Sequence, residues 1–353
     1  MFRRGEKIPV AVLGATGMVG RRFSELLIDH PAFELKTLVG YRSVGDSYGQ
    51  VWERKEAAMR EHYGADFWQP RPCPERLRDF HVGAFRELLH PSSPGIVFSA
   101  IPPEFCELEE QLLAAGKTIF SNSPCGRFEE ANPLVVTEVN GREIKDQRFI
   151  KNPNCVTSGL VLILDPLAKH YGLKEVSVVT FQSLSGRGDA KYRRDLVVGN
   201  IYPLHNSDER TEEYIKREVK KILGEHIPTS ISCQRVYVQE GHFVNVKLKT
   251  ERKIKSAAEA AEVLRSYNPL KGLALPSSPD SPLVTLTEAG RPRPAQDAFH
   301  GRGMAVAVGG VSTDDDVYDL RLQYVVNNLI RGAAGGALLN AELYLHNNSQ
   351  ARA

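Results

Sequence analysis

The run Ile8-Pro9-Val10-Ala11-Val12-Leu13 passes directly into Gly14-Ala15-Thr16-Gly17-Met18-Val19-Gly20, and then into the helical pattern of residues 21–30, which Pro31 closes. No other stretch restricts the fold as strongly. Glycines at this spacing, after a strand and opening a helix, permit a tight turn and let backbone approach a pyrophosphate. The helix N-terminus meets that anion with free N–H groups and a partial positive charge. The stretch therefore reads as a dinucleotide-binding turn, with a glycine-rich turn that holds no ligand as the alternative.

The alternation continues downstream. Residues 33–39, 95–101 and 117–123 read as strands, and 104–116 as a helix with Gly116 at its C-terminal end. Strands alternating with helices imply a parallel sheet covered on its faces, an α/β fold of Rossmann type. Residues 50–94, rich in Trp, Arg and Pro, read as an irregular insertion. Beyond residue 155 the pattern changes to a helix over 156–171, a strand over 174–183, a basic loop over 184–195 and a charged helix over 211–224. Two strands, 232–238 and 242–249, are expected to meet at the turn Gln239-Glu240-Gly241. A helix over 256–266, a strand-like run over 303–311 and a last strand over 319–326 follow. The expected division is 1–152 and 153–327, with a closing helix over 328–345 that returns to the first domain.

Lys and Arg total 45 against 43 Asp and Glu, a net charge of +2, so no basic excess marks a nucleic-acid surface. No apolar run approaches the roughly 18 residues of a membrane span. The start, MFRRGEKIPVAVLG, lacks a signal peptide's apolar core and cleavage site, and a cytoplasmic location is expected. Five widely spaced cysteines without a CxxC argue against a disulfide framework or a zinc site and predict reduced thiols.

Among them Cys155 stands out. It follows Asn152-Pro153-Asn154 and precedes an apolar helical run. At a helix N-terminus, backbone N–H groups and the helix dipole stabilise a thiolate, which is the nucleophilic form. A histidine partner would complete the activation. His242, after a Glu-Gly turn and at the start of a strand, is the candidate, although spacing alone does not bring the two together. Cys125, in a Ser-Pro-Cys-Gly turn near Arg127, is the rival nucleophile. After the second strand, an NAD-preferring fold usually places an acid for the ribose hydroxyls. Here Arg42 and Ser43 stand instead, with no carboxylate before Asp46. Arg42 and Ser43 suit a 2′-phosphate, which predicts NADP over NAD. The alternative is a solvated Arg42.

GATGMVG, SNS with a following Arg, NPNC, FQSLSG, QRVYVQEGH and NNLIRGAAGGALLNAEL occur in that order over residues 8–345. Together they resemble the aspartate-semialdehyde dehydrogenase family, in its archaeal and fungal branch. The resemblance implies a Rossmann-type domain, an α+β catalytic and dimerisation domain, and a homodimer or homotetramer. It implies NADP- and phosphate-dependent interconversion of L-aspartate 4-semialdehyde and L-4-aspartyl phosphate, a step of amino-acid biosynthesis leading to lysine, methionine and threonine. Cys155 matches the nucleophile, His242 the general acid/base and Gln182 the residue that orients the intermediate. Arg235 matches the arginine for the substrate carboxylate and Arg127 the one at the phosphate site. Gly14, Thr16, Gly17, Met18, Val19, Ser185, Gly186 and Asn328 match the cofactor-binding segments.

Two stretches depart from the family pattern. An acidic-then-lysine stretch, E-E-E-K, is expected before KILG. Counting back from KILG puts Thr211 to Tyr214 there, and counting from Pro203 puts Asp208 to Thr211 there. Glu209, Glu212 or Glu213 are the candidates for the acid and Arg210 for the cation, against a solvated helix face. The loop with Arg187, Lys191, Arg193 and Arg194 reads as a solvated loop, a dimer contact, or a site for a larger anion such as the phosphates of coenzyme A. An acyl-coenzyme A reductase of the malonyl type is therefore the rival enzyme. A non-catalytic nucleotide-binding paralogue is the rival of another class.

Overall fold

The computed structural model describes residues 7–350 apart from Asn206, Glu225 and His226; the charged start, residues 1–6, lies outside it. The first sheet consists of β1 (Ile8–Leu13), β2 (Phe33–Val39), β3 (Val82–Gly83), β4 (Ile96–Ser99), β5 (Thr118–Ser121) and β6 (Phe149–Lys151). Their order is β3-β2-β1-β4-β5-β6, and every pairing is parallel. Val10, Val12 and Phe98 are completely buried, as strands covered on both faces require. Helices α1 (Met18–Leu27), α2 (Tyr48–Tyr63) and α3 (Cys106–Ala114) accompany this sheet. The stretch expected to be irregular is helical at its start, through Tyr63, and mostly loop beyond it: Tyr48, Val51, Trp52, Met59 and Tyr63 form a buried stripe on α2.

Helix α4 (Cys155–Tyr171) begins the second half, followed by α5 (Thr211–Leu223) and α6 (Ala257–Arg265). The second sheet holds β7 (Leu173–Gln182), β8 (Ile201–Pro203), β9 (Thr229–Val236), β10 (His242–Thr250), β11 (Leu283–Thr285), β12 (Val306–Ser312) and β13 (Leu320–Val326). Its order is β11-β12-β13-β10-β7-β9-β8. Along β10 buried residues alternate strictly with half-buried ones, so one sheet face is covered by helices and the other is more open. The expected hairpin of β9 and β10 does not form. Instead β9 lies parallel to one side of β7 and β10 antiparallel to the other, with Gln239–Gly241 crossing the end of β7. The alternating pattern marks both runs as strands but carries no information about which neighbour each pairs with.

The chain closes with a π-helical turn at Ile330–Ala334 and helix α7 (Gly335–Gln350). Ala337, Leu338 and Leu339 pack into the same apolar cluster as Val10, Phe23 and Phe98 of the first sheet and α1. A second departure concerns the thiols. Cys106 and Cys125 are joined in a disulfide, whereas Cys73, Cys155 and Cys233 are free. The wide spacing in sequence hid their approach, since β4 and β5 are adjacent and each is followed by one of the two cysteines.

Candidate active site

The register of the second sheet assembles the site. Gln182 at the end of β7 pairs with Arg235 at the end of β9, while Phe181 pairs with Phe243, so His242 opens β10 at the same sheet end. Helix α4 points its N-terminus there. Asn154 caps it, its Oδ1 accepting from the Val156 N–H at 2.9 Å. Cys155 is therefore the first helical residue, half-buried at the cleft, and its Sγ lies 3.0 Å from His242 Nε2. A Cβ on Gly332 would sit 2.5 Å from Cys155 Cβ, which explains a glycine at that place in the π-helical turn. A Cβ on Gly186 would likewise lie 2.8 Å from both Arg235 Nη1 and His242 Cε1.

Burial pushes the Cys155 thiol up to about 11, against the pull of Arg235 and the Val156 N–H, with Glu218 adding to the rise. Burial, reinforced by the Arg235 cation, holds His242 well below its ordinary value. Both directions favour a neutral thiol–imidazole pair at rest. Proton movement between them is a local event, because His242 is completely buried.

A cleft of about 470 Å³ opens over this pair between the two sheets. Gly17, Met18, Val19, Ser185, Gly186 and Asn328 line it on the cofactor side. Gly14 takes φ +77°, and a Cβ there would stand 2.6 Å from the Ala100 carbonyl oxygen. The cap of α1, Gly17, offers no side chain to the first helical N–H groups, which leaves them for an anion. These features fit a dinucleotide's pyrophosphate. Ser43 and Arg42 lie in the turn after β2, Ser43 buried and Arg42 exposed. Asp46, the nearest carboxylate, is paired with Arg54 at 2.9 Å, and Arg54 also reaches Ser43 Oγ at 3.4 Å. Arg54 is thereby a further candidate cation for a 2′-phosphate. Sequence reading missed it because α2 was read as irregular.

On the substrate side Arg235 is almost wholly buried, donating to the Ser183 carbonyl at 2.8 Å and to Glu209 Oε2 at 2.8 Å. Arg127 donates to Glu218 at 2.9 Å and to the Asn122 carbonyl at 2.8 Å, and its buried Nε has no protein partner. Glu218 was not singled out from sequence, yet it is fully buried and also accepts from the Asn154 N–H at 2.8 Å and from Thr157 Oγ1 at 2.5 Å. Of the candidate acids Glu209 lines the cleft. Glu212 instead accepts from the Cys233 N–H at 2.9 Å and meets His205 at 3.0 Å, while Glu213 pairs with Arg210 on the surface. Arg210 is left-handed at φ +48°, a break that places Glu209 and Tyr214 on the cleft from either side of it. Tyr214 stacks on Phe128 with centroids 5.5 Å apart.

The basic loop keeps Arg187, Lys191, Arg193 and Arg194 exposed, in line with the solvated alternative, while its other residues dock on the first domain. Its Asp189 pairs with Lys55 at 2.8 Å, the Tyr192 carbonyl meets His62 at 2.6 Å, and Ala190 N donates to Met59, all on α2. Arg187 faces Asp208 and Glu209 at 3.7 and 3.9 Å. Cys125, the rival nucleophile, is bonded to Cys106.

With this geometry, comparisons with known proteins agree in direction. Residues 9–147 match the family model described as semialdehyde dehydrogenase, NAD binding domain, and residues 164–331 match semialdehyde dehydrogenase, dimerisation domain. The chain is 36% identical to an aspartate-semialdehyde dehydrogenase of Methanothermobacter thermautotrophicus, over 95% of this chain and 98% of that one. It is 30% identical to a malonyl CoA reductase (NADP) of Metallosphaera sedula, over 95% and 97%. Among solved structures, aspartate semialdehyde dehydrogenase with NADP from Candida albicans superposes with a TM-score of 0.81 at 28% identity, covering 97% of this chain and 99% of that one.

Proposed function

The chain belongs to the aspartate-semialdehyde dehydrogenase family, and we propose that it interconverts L-aspartate 4-semialdehyde and L-4-aspartyl phosphate through a thioester on Cys155, with NADP as cofactor. The observation that carries this reading is the thiol at the N-terminus of α4, 3.0 Å from His242 Nε2, beneath a cleft walled by Arg235 and Arg127.

Each residue has a task that follows from its surroundings. Arg235 supplies a planar guanidinium for the substrate carboxylate. Its ion pair with Glu209 leaves that carboxylate beside the place where the substrate's ammonium would rest. Cys155 Sγ attacks the carbonyl carbon as its proton passes to His242 Nε2, which returns it to the carbonyl oxygen to give a tetrahedral thiohemiacetal. His242 Nε2, bare again, then takes the hydroxyl proton as the carbon returns to a planar thioester. NADP held by Gly17, Met18, Val19, Ser185, Gly186 and Asn328 would supply the hydride acceptor for that oxidation. Phosphate, held by Arg127, attacks the thioester and releases Cys155 as thiolate. The N–H groups that open α4 stabilise that leaving group.

A second reading, coenzyme A as acyl acceptor, rests on Tyr214. Counted back from KILG, it stands where the family pattern has a lysine at the phosphate site; counted from Pro203, Thr211 does. The loop docks on α2 through Asp189 and the Tyr192 carbonyl, and Lys191 and Arg194 stay exposed for the larger anion that this reading requires. NADPH formation from L-aspartate 4-semialdehyde, with phosphate and then with coenzyme A, separates the two. Turnover that requires phosphate supports the first. Turnover only with coenzyme A replaces it.

A further inference from the structure

His242 Nδ1 faces two groups of one residue. The Ser183 N–H lies 3.0 Å from it and the Ser183 Oγ 3.1 Å. These two groups make opposite demands. An N–H can only donate, so it needs Nδ1 bare, which puts the ring proton on Nε2 facing Cys155. The hydroxyl can accept, so it can serve a protonated Nδ1, provided its own hydrogen is directed elsewhere.

The structure directs it elsewhere. The Ser183 hydroxyl lies 3.0 Å from Asn328 Oδ1 and donates to it. The Asn328 amide cannot turn round without loss, because Oδ1 also accepts from the Gly241 N–H at 2.9 Å and Nδ2 donates to Ser185 Oγ at 3.0 Å. With its hydrogen committed to Asn328, Ser183 Oγ presents lone pairs to the ring. Ser183 and His242 are completely buried and Asn328 nearly so, so bulk water offers Nδ1 no other partner.

We infer that Ser183 is a positioning residue that lets His242 exchange tautomers: its N–H stabilises the ring when Nε2 must donate, and its hydroxyl stabilises it when Nε2 must accept. The base step of the proposed reaction needs the second form. With a proton already on Nε2, the ring can take one neither from the Cys155 thiol nor from a thiohemiacetal hydroxyl. The inference rests on the proposed function for that consequence only. The tautomer equilibrium itself depends on Ser183, Asn328 and the ring.

The charged and titratable groups around the ring are few. Arg235 reaches it from β9 and Cys155 from α4. Glu218 on α5 and Tyr324 on β13 interact with Cys155 rather than with His242. Arg235 opposes any added positive charge on the ring, so the hydroxyl acceptor matters most when Nδ1 is protonated.

The test is nitrogen-15 NMR of histidine-labelled protein, with His242 assigned by His242→Gln, beside turnover and Cys155 alkylation. Wild type is expected to show both tautomers or their fast average. Ser183→Ala, which keeps the N–H and loses the acceptor, is expected to hold the proton on Nε2 from pH 6 to 9. Its kcat should fall by about 10²-fold, a typical share for one acid–base group, with little change in KM. Ser183→Thr should restore most of both. Ser185 Oγ lies 3.3 Å from Ser183 Oγ, so Asn328→Ala combined with Ser185→Ala removes both other acceptors of the Ser183 hydrogen, turns it to Nδ1 and should give the same fixed tautomer with Ser183 in place. A protonated Nδ1 in Ser183→Ala at wild-type population, or a mixed tautomer in the Asn328→Ala, Ser185→Ala double variant, overturns the inference. A wild type that turns over no semialdehyde, with the tautomers still shifting as stated, would overturn the functional reading alone.

Discussion

Glu218→Gln separates the stability of the site from its reactivity. Glu218 is fully buried and takes three donors: Arg127 Nη1 on Oε1, and the Asn154 N–H with Thr157 Oγ1 on Oε2. A glutamine placed with its oxygen at the Oε2 position keeps the last two. Its amide nitrogen then faces Arg127 Nη1 across the present 2.9 Å, donor against donor. Arg127, itself nearly buried, loses its ion pair. Breaking a buried pair from one side costs about 3–5 kcal/mol, and the retained hydrogen bonds place this change near 3 kcal/mol. The first urea transition should move down by about 1 M if the slope is about 3 kcal/mol per molar. Reactivity should move the other way. The Glu218 charge raises the Cys155 thiol, so its neutral replacement should lower it. Alkylation of Cys155 by iodoacetamide, followed from pH 6 to 10, should therefore begin at lower pH than in wild type. An unchanged urea transition, or alkylation shifted to higher pH, would refute this account of how α5 holds the site.

Cys155→Ser should lower phosphate-dependent NADPH formation by at least about 10³-fold, as removal of a covalent nucleophile does, with NADP binding unchanged by fluorescence. Gly186→Ala drives a methyl group to 2.8 Å from Arg235 Nη1 and His242 Cε1 and should cost about 10²-fold in kcat/KM, since displacements near 1 Å at a reacting centre have that effect. Replacing Arg42 and Arg54 by alanine together should lower kcat/KM for NADP while sparing NAD; an equal loss with both cofactors would remove these residues from the 2′-phosphate. Asp297 offers a pH test. Burial pushes it up, but Arg291, the Arg293 N–H and His300 outweigh this and hold it at about 2, below the ordinary 3.8. Its contribution to stability is complete above pH 4 and is lost as pH falls through 2, so Asp297→Asn should flatten the acid limb of thermal stability in that window.

What sequence revealed and what it hid divide along physical lines. β1 and β2 were legible at their observed boundaries, and α5 to within one residue, because periodicity and glycine placement are local signals. Cys155 was legible because a helix start is written in consecutive residues, Asn154 onward. Its meeting with His242, 87 residues away, depends on β7 lying between β9 and β10, which alternation cannot specify. The same limit produced the false hairpin. α2 was missed because its apolar stripe is interrupted by charged residues such as Glu53, Arg54 and Lys55, and with it went Arg54 and the docking of the basic loop. Glu218 and Ser183 carried no motif. Each is identified only by the groups that converge on it. Glu209 was separated from Glu212 by the left-handed Arg210, a backbone feature that no residue preference for arginine announces.

The central claim is a covalent bond between Cys155 and the acyl group. The most direct measurement is the intact and peptide mass of the protein mixed with L-4-aspartyl phosphate in the absence of NADPH. The account predicts one aspartyl group on the peptide that contains Cys155, absent in Cys155→Ala and discharged by added phosphate. No adduct on the wild type, or an adduct on a peptide without Cys155, would contradict it.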